Sequence, residues 1–288
     1  MRVPFLLSDL ANRPPFDRHR VIVNAIKRWF HPARARQLDE KLASAARKKA
    51  IARVDYPRAK IRIHVTSEME RRWRTTACAK EPWTVAWLDT QIQPGDVLYD
   101  LGANVGVFSL IGASRLKGRG TVVAFEPGYA SYARLCENIV LNGFEERIIP
   151  VPLPMSSRTG LQAFTYRTID PGQSRHTFAG DAWKAEGSQT TRGHYSQPML
   201  AMTLDAAVPL FGLPAPTLVK LDVDGAELHV LEGAQKTFAA EQVRSLVIEI
   251  ENELTEPVTA LLARLGFRLI DRPDRKRAAK AWYGIFGR

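Results

Sequence analysis

The stretch Val97–Leu110, VLYDLGANVGVFSL, restricts what this chain can fold into more than any other. Apolar residues run into Asp100, a D-x-G-x-N-x-G turn follows, and a helix is expected from Val107. A glycine turn between a strand and a helix lets the backbone come close to a ligand, while the helix start presents N–H groups and a positive dipole end. Gly102 and Gly106 provide that turn. A second apolar strand, Gly120–Glu126 (GTVVAFE), ends in an acid 26 residues after Asp100. In dinucleotide-binding units an acid at about this separation accepts hydrogen bonds from ribose hydroxyls, so a ribose-bearing cofactor is expected at Glu126.

The turn departs from the dinucleotide pattern. It reads G-A-N-V-G, without the G-x-G-x-x-G register that sets backbone against a pyrophosphate, and no G-x-x-x-x-G-K-[ST] loop occurs. A NAD-dependent oxidoreductase is therefore disfavoured. Asp100 would repel a phosphate, but it suits, directly or through water, a cationic amino-acid head such as that of S-adenosylmethionine. The plainer alternative makes Asp100 a helix cap and Glu126 a solvated strand end. It is disfavoured because both acids close neighbouring predicted parallel strands.

With 288 residues, 45% hydrophobic and 25% charged, the chain suits one soluble α/β domain with an N-terminal extension. Residues 1–82 carry 20 Lys/Arg against 8 Asp/Glu, whereas residues 83–288 carry 21 against 22. A basic extension of this kind is a handle for RNA or another polyanion, or else a solvated face that favours solubility. The run Ala206–Val219 is too short for a membrane span and holds three prolines. The N-terminus does not read as a signal peptide, and Cys78 and Cys136 give neither a zinc site nor a disulfide framework. A cytoplasmic setting is the expectation.

Along the chain, helix is expected from Val21 to about Val54 with a break at His31–Pro32, then a short strand through Ile61, Ile63 and Val65. Ser67 and Glu70 form a capping box at the start of a charged helix. Trp83–Ile92 is a helix or arm, Val107–Arg115 a helix, and Tyr129–Asn142 a long helix whose buried stripe is Tyr132, Leu135, Ile139 and Val140. Ile148–Val151 is the third strand. The segment from about 154 to 200 reads as loops or an irregular hairpin and holds substrate candidates His176, Trp183, His194 and Tyr195. Thr203 or Asp205 caps a short helix. Thr217–Asp222 and Val243–Ile250 are strands flanking a helix Ala226–Ala240, and Phe267–Ile270 with Ala281–Phe286 form an antiparallel terminal hairpin.

Ligands in open α/β sheets bind beyond the carboxyl ends of the strands, where Asp222, Asp224, Glu227 and Glu249 are expected to gather. Such acids serve as a general base toward a hydroxyl, or Asp222 and Glu249 together hold a divalent cation. Glu227 alternatively favours its helix N-terminus, and Glu249 alternatively pairs with Lys220. Lys220, Asp222 and Glu249 are ionisable groups in otherwise apolar strands, which makes them catalytic candidates.

The phrases DLGANVGVFSL, VVAFEP, LCENIVLNG, TLD at 203–205, LVKLDVDGAELHVLEGA and LVIEI, in this order, resemble the FkbM-type S-adenosylmethionine-dependent methyltransferases over about residues 83–252. The resemblance implies a class I methyltransferase, Rossmann-like α/β fold: a seven-stranded mixed sheet of order 3-2-1-4-5-7-6 with strand seven antiparallel. It implies that Asp100, Gly102, Asn104 and Gly106 form the cofactor loop, that Glu126 holds the ribose, and that Asn138 and Ser156/Ser157 lie near the cofactor. The family's usual Glu before the second glycine motif is here Asp224, one methylene shorter. The favoured activity is methyl transfer to a hydroxyl of a small molecule or glycan by residues 83–288. The alternatives are an RNA ribose 2′-O-methyltransferase using residues 1–82, and a non-catalytic cofactor-binding scaffold.

Overall fold

The computed structural model describes residues 50–173, 195–274 and 280–288, with the backbone of Thr177 and Phe178. The chain divides into two units, Met1–Ala50 and Ile51–Arg288, and the described residues after Ala50 all belong to the second. Most of the helix expected from Val21, together with His176, Trp183 and His194, lies outside the described residues.

Strands β1 (Ala50–Arg53) and β2 (Arg62–Val65) come first and pair as a two-stranded sheet. Ala50–Arg53 is thus a strand and not the tail of a helix, since the chain turns back on itself with Val54 N–H donating to Ile61 O. After a single π-helical turn, Glu70–Arg74, come helices Ala77–Lys80 and Pro82–Gln91. Residues 51–82, read from sequence as part of the extension, therefore belong to the same compact unit as the sheet.

The alternation that follows is β3 (Val97–Leu101), helix Val107–Leu116, β4 (Thr121–Phe125), helix Tyr129–Asn142 and β5 (Ile148–Val151). Strands β6 (Gly160–Tyr166), β7 (Thr177–Phe178) and β8 (Tyr195–Ala201) form a separate three-stranded antiparallel sheet. The chain returns through helix Leu204–Leu210, β9 (Leu218–Leu221), helices Glu227–Glu232 and Gln235–Ala239, and β10 (Ser245–Glu251). Helix Thr255–Arg264 then leads to β11 (Arg268–Asp271) and β12 (Ala281–Gly287).

The main sheet has seven strands in the order β11-β12-β10-β9-β3-β4-β5. Strands β5, β4, β3, β9 and β10 are parallel, and β12 runs antiparallel to both β10 and β11. This is the expected class I methyltransferase topology. Pro150, which has no N–H to give to a ladder, sits in the edge strand β5.

Side chains alternate between the two faces of a strand, and the sheet carries a core on each. Leu98, Val122, Ala124, Leu218 and Val247 enter the core shared with helices Pro82–Gln91, Val107–Leu116 and Tyr129–Asn142. Tyr99, Leu101, Val123, Phe125, Val219, Leu221 and Ile248 enter the other, under the helices from Leu204 onward. By the same alternation Asp100, Lys220 and Glu249 fall on the first face, at the carboxyl end of the sheet.

Of the two forms expected for the 154–200 segment, loops or an irregular hairpin, its described part takes the second, since β6 pairs antiparallel with β8 along its whole length. Two other sequence expectations are corrected. The helix expected over Ala226–Ala240 is two short helices, broken at Gly233 and Ala234, where a Cβ on Gly233 would overlap the carbonyl oxygen of Ser156. In helix Tyr129–Asn142, Val140 is 62% exposed, and Asn138 is the residue fully buried next to Ile139. Asn138 accepts from His64 N–H at 2.8 Å and donates to Val105 O at 2.8 Å, while Asn142 exchanges two bonds with the backbone of Arg62. These two asparagines, one turn apart, fasten the exposed edge of β2 to the helix.

Candidate active site

The glycine loop is built from residues suited to its backbone. Gly102 and Gly106 have φ of +86° and +89°, and Asn104, a residue type that tolerates the left-handed region, has φ of 52°. A Cβ on Gly102 would overlap Asp222 O, so the loop lies directly on the end of β9. The Asn104 side chain donates to Gln173 O at 2.5 Å and accepts from Val105 N–H at 2.9 Å.

Glu126 closes β4 and is buried beside this loop. Its carboxylate accepts the N–H groups of Asn104 and Gly128, both at 2.7 Å. Burial pushes its pKa up to about 7, only partly offset by those two donors and by Arg74. A small apolar cavity of about 40 Å³ adjoins the loop, lined by Leu101, Phe125, Pro127, Met155, Phe164 and Val223. It borders Phe125 and Pro127, the residues on either side of Glu126.

A larger cavity of about 440 Å³ opens on the other side of Gly102 and extends from the loop to Asp222, Asp224, Glu249, Lys220 and Tyr283. Asp100 and Lys220 are register partners on β3 and β9, and Lys220 Nζ lies 3.5 Å from Asp100 Oδ1 and 3.3 Å from Asp222 Oδ2. Asp100 also accepts from Ser109 Oγ at 2.6 Å, and Phe108 lays its ring 5.2 Å from Nζ. Burial works against the Lys220 ammonium, but the carboxylates of Asp222 and Asp100 hold its pKa above the usual lysine range. For Asp222, burial is the largest single influence and acts to raise the pKa, but the charges of Lys220 and Lys80 and the hydrogen bonds from Lys220 and Tyr283 together outweigh it, leaving the carboxyl below its ordinary value. Tyr283 donates to the same Asp222 oxygen at 3.2 Å.

The turn between β9 and the next helix is held by Glu227, whose Oε1 accepts Val223 N–H at 2.9 Å and Gly225 N–H at 3.3 Å. Burial also pushes Glu227 up to about 7. Asp224 sits in this turn with φ of 55°, a conformation that short polar Asp adopts more readily than Glu. Asp224 and Glu249 both line the large cavity, and Glu227 braces the turn beneath.

The remaining expected residues fall elsewhere. Asn138 holds the glycine loop from behind through Val105 O, and buried Ser156 donates to Gln162 Oε1 at 3.1 Å. Tyr195 is 51% exposed and stacks on Tyr166 with ring centroids 5.9 Å apart. Lys220 pairs with Asp100 and Asp222, in place of the Glu249 partner entertained from sequence. Among the described residues no group of three or more His, Cys, Asp and Glu side chains is placed to hold a metal ion. No described helix is long and apolar enough to cross a membrane.

Sequence reasoning missed the cavity wall supplied by residues 69–81. Met69, Trp73, Arg74, Lys80 and Glu81 line the cavity from elements that precede the glycine loop. That wall is fixed by Glu70, fully buried, whose Oε1 meets Arg134 Nη1 at 2.5 Å and whose Oε2 accepts Thr66 and Ser67 N–H at 2.7 and 3.1 Å. The Ser67–Glu70 capping box was the sequence signal for it, since it sets the phase of the turn that carries Arg74.

The chain is similar in sequence to known proteins. The methyltransferase FkbM domain matches residues 100–269. Hexuronic acid methyltransferase AglP of Haloferax volcanii is 28% identical over 76% of this chain and 82% of its own length. Methyltransferase sdnD of Sordaria araneosa is 28% identical over 59% of this chain and 73% of its own. The 31-O-demethyl-FK506 methyltransferase FkbM of Streptomyces tacrolimicus is 28% identical over 64% of this chain and 77% of its own. With the glycine loop, the acid closing β4 and the seven-stranded sheet in place, the chain belongs to the FkbM family of S-adenosylmethionine-dependent methyltransferases.

Proposed function

We propose that this enzyme methylates a hydroxyl oxygen of a small molecule or glycan. The observation that carries the reading is one cavity joining the glycine loop to the carboxylates of Asp222, Asp224 and Glu249. The cofactor side fits S-adenosylmethionine: an apolar slot for the base, the buried Glu126 carboxylate for the ribose diol, and a loop closely packed on β9. When bound, S-adenosylmethionine supplies an electrophilic methyl group on a sulfonium, so the protein's own task is to orient the hydroxyl and accept its proton.

Asp222, kept ionised by Lys220 and fixed by Tyr283, accepts a hydrogen bond from the acceptor hydroxyl and sets its direction. Glu249 takes the proton. It stands on a strand of the sheet, opposite Tyr283 in register, whereas Asp224 sits in a turn; a base on a rigid element is better placed for in-line attack. The names of AglP, a hexuronic acid methyltransferase, and of FkbM, a 31-O-demethyl-FK506 methyltransferase, support a glycan or small-molecule acceptor.

The test is a methyl-label transfer assay with uronic acids, neutral sugars and small alcohols beside RNA. Glu249→Gln is expected to lower kcat by about 10²- to 10⁴-fold while S-adenosylhomocysteine binds unchanged in calorimetry. Label entering RNA and no hydroxyl compound, or full turnover by the variant, would overturn the proposal.

A further inference from the structure

The backbone N–H groups of the glycine loop are all donated within the protein. Gly102 and Ala103 donate to Phe125 O at 3.0 and 2.9 Å, and Gly106 donates to Ala103 O at 2.8 Å. Asn104 donates to Glu126 and Val105 to the Asn104 side chain. Loops of this kind hold an anion through free amides. Here, from Gly102 to Gly106, none is free, so these loop amides offer an entering anion nothing, and it is left to the cavity's side chains and the first amides of helix Val107–Leu116.

The cations of that cavity differ in what they already hold. Lys220 meets Asp100 and Asp222, and Lys80 meets Glu81 at 2.9 Å. Arg167 is solvent-exposed. Arg74 donates through Nε and Nη2 to one carbonyl oxygen, Gly172 O, at 2.9 and 2.5 Å, and makes no ion pair with a carboxylate among the described residues. A guanidinium anchored along one edge keeps its Nη1 donors for a carboxylate. Burial lowers the Arg74 pKa, an effect opposed by the surrounding charges of Glu81, Asp222, Asp224 and Glu126. Arg74 closes the π-helical turn Glu70–Arg74, and the buried Glu70–Arg134 pair fixes that turn, so the group is held ready.

Resting on the cofactor assignment above, we infer that Arg74 binds the carboxylate at the amino-acid end of S-adenosylmethionine. Arg74 precedes residues 100–269, so a residue outside the matched domain completes the cofactor site.

The experiment is calorimetry on the full chain with two ligands, S-adenosylhomocysteine and 5′-methylthioadenosine. The second keeps base, ribose and thioether but lacks the amino acid. Arg74→Ala is expected to weaken S-adenosylhomocysteine by about 10- to 100-fold, with Arg74→Lys losing less, while methylthioadenosine binds all three proteins alike. Unchanged S-adenosylhomocysteine affinity in Arg74→Ala overturns the inference, and so does an equal loss for both ligands, which makes Arg74 a structural prop. Failure of the wild-type protein to bind either ligand overturns the cofactor assignment and the inference with it.

Discussion

Asp100 and Lys220 face each other in register across β3 and β9, with their charged atoms 3.5 Å apart and both side chains buried. A buried ion pair adds little over a well-packed apolar pair, but removing one member leaves the other charge uncompensated. Lys220→Ala is therefore expected to cost about 3–5 kcal/mol of unfolding free energy, measured in urea. The double variant Asp100→Asn/Lys220→Met recovers more than half of that loss; a double variant as unstable as the single one contradicts this account.

Glu126 has its pKa raised from an ordinary 4.5 to about 7, chiefly by burial. In the folded protein it keeps its proton up to about pH 7, whereas the unfolded chain releases it near 4.5. Its contribution is thus complete below the unfolded value and is lost as pH rises through the folded one, at about 1.4 kcal/mol per pH unit. Glu126→Gln flattens the dependence of stability on pH across this window, leaving the similar slope due to Glu227. Because the ionised carboxylate is the better acceptor for ribose hydroxyls, S-adenosylhomocysteine affinity rises through the same window in the wild type. Identical stability slopes in variant and wild type would refute the assignment.

Gly102→Ala and Gly95→Ala offer a matched comparison, since both glycines have positive φ. At Gly95 a Cβ meets nothing within 4 Å, so the cost is the backbone strain alone, about 1 kcal/mol. At Gly102 the Cβ overlaps Asp222 O and forces the loop off β9. Gly102→Ala is expected to lose at least ~2 kcal/mol and all measurable S-adenosylhomocysteine binding. Thermal melting with calorimetry separates the two.

Glu70 joins Arg134 on one side and Thr66 and Ser67 on the other. Glu70→Ala leaves buried Arg134 with Glu137 as its acidic neighbour and releases the 66–74 segment. A loss of about 3–5 kcal/mol is expected, with proteolytic cleavage in that segment preceding cleavage elsewhere in residues 51–288. Cleavage beginning at another site would show that the segment is held by other means.

The sheet was legible because parallel strands buried on both faces read as apolar runs, and VLYDL, TVVAF and SLVIEI leave little choice. Tyr129–Asn142 was legible because Gly143 ends it in the left-handed region. The three-stranded sheet was not, since Gly160–Tyr166 and Tyr195–Ala201 are short and mixed in polarity, and their pairing spans a long separation in sequence. The break at Gly233 depends on a distant carbonyl, that of Ser156, which no local pattern announces. Glu126 and the acids of the cavity were readable from strand ends, where topology alone dictates position. Arg74 was hidden in ERRWR, a run whose arginines look interchangeable until the fold turns one of them into the cavity.

The cavity has two builders. Its floor is laid by the glycine loop and strand ends within the matched residues, and its wall by residues 69–81, which precede them. The wall is tied to helix Tyr129–Asn142 through Glu70 and Arg134, to Asp55 through the N–H groups of Cys78 and Ala79, and to Gly172 through Arg74. A change in this wall therefore reaches both ends of the cavity, the space beside Asp222, Asp224 and Glu249 and, through Arg74, the grip on the methyl donor. A chimaera that swaps residues 51–82 between relatives is thus expected to keep its hold on the methyl donor only where the incoming segment brings its own arginine at position 74.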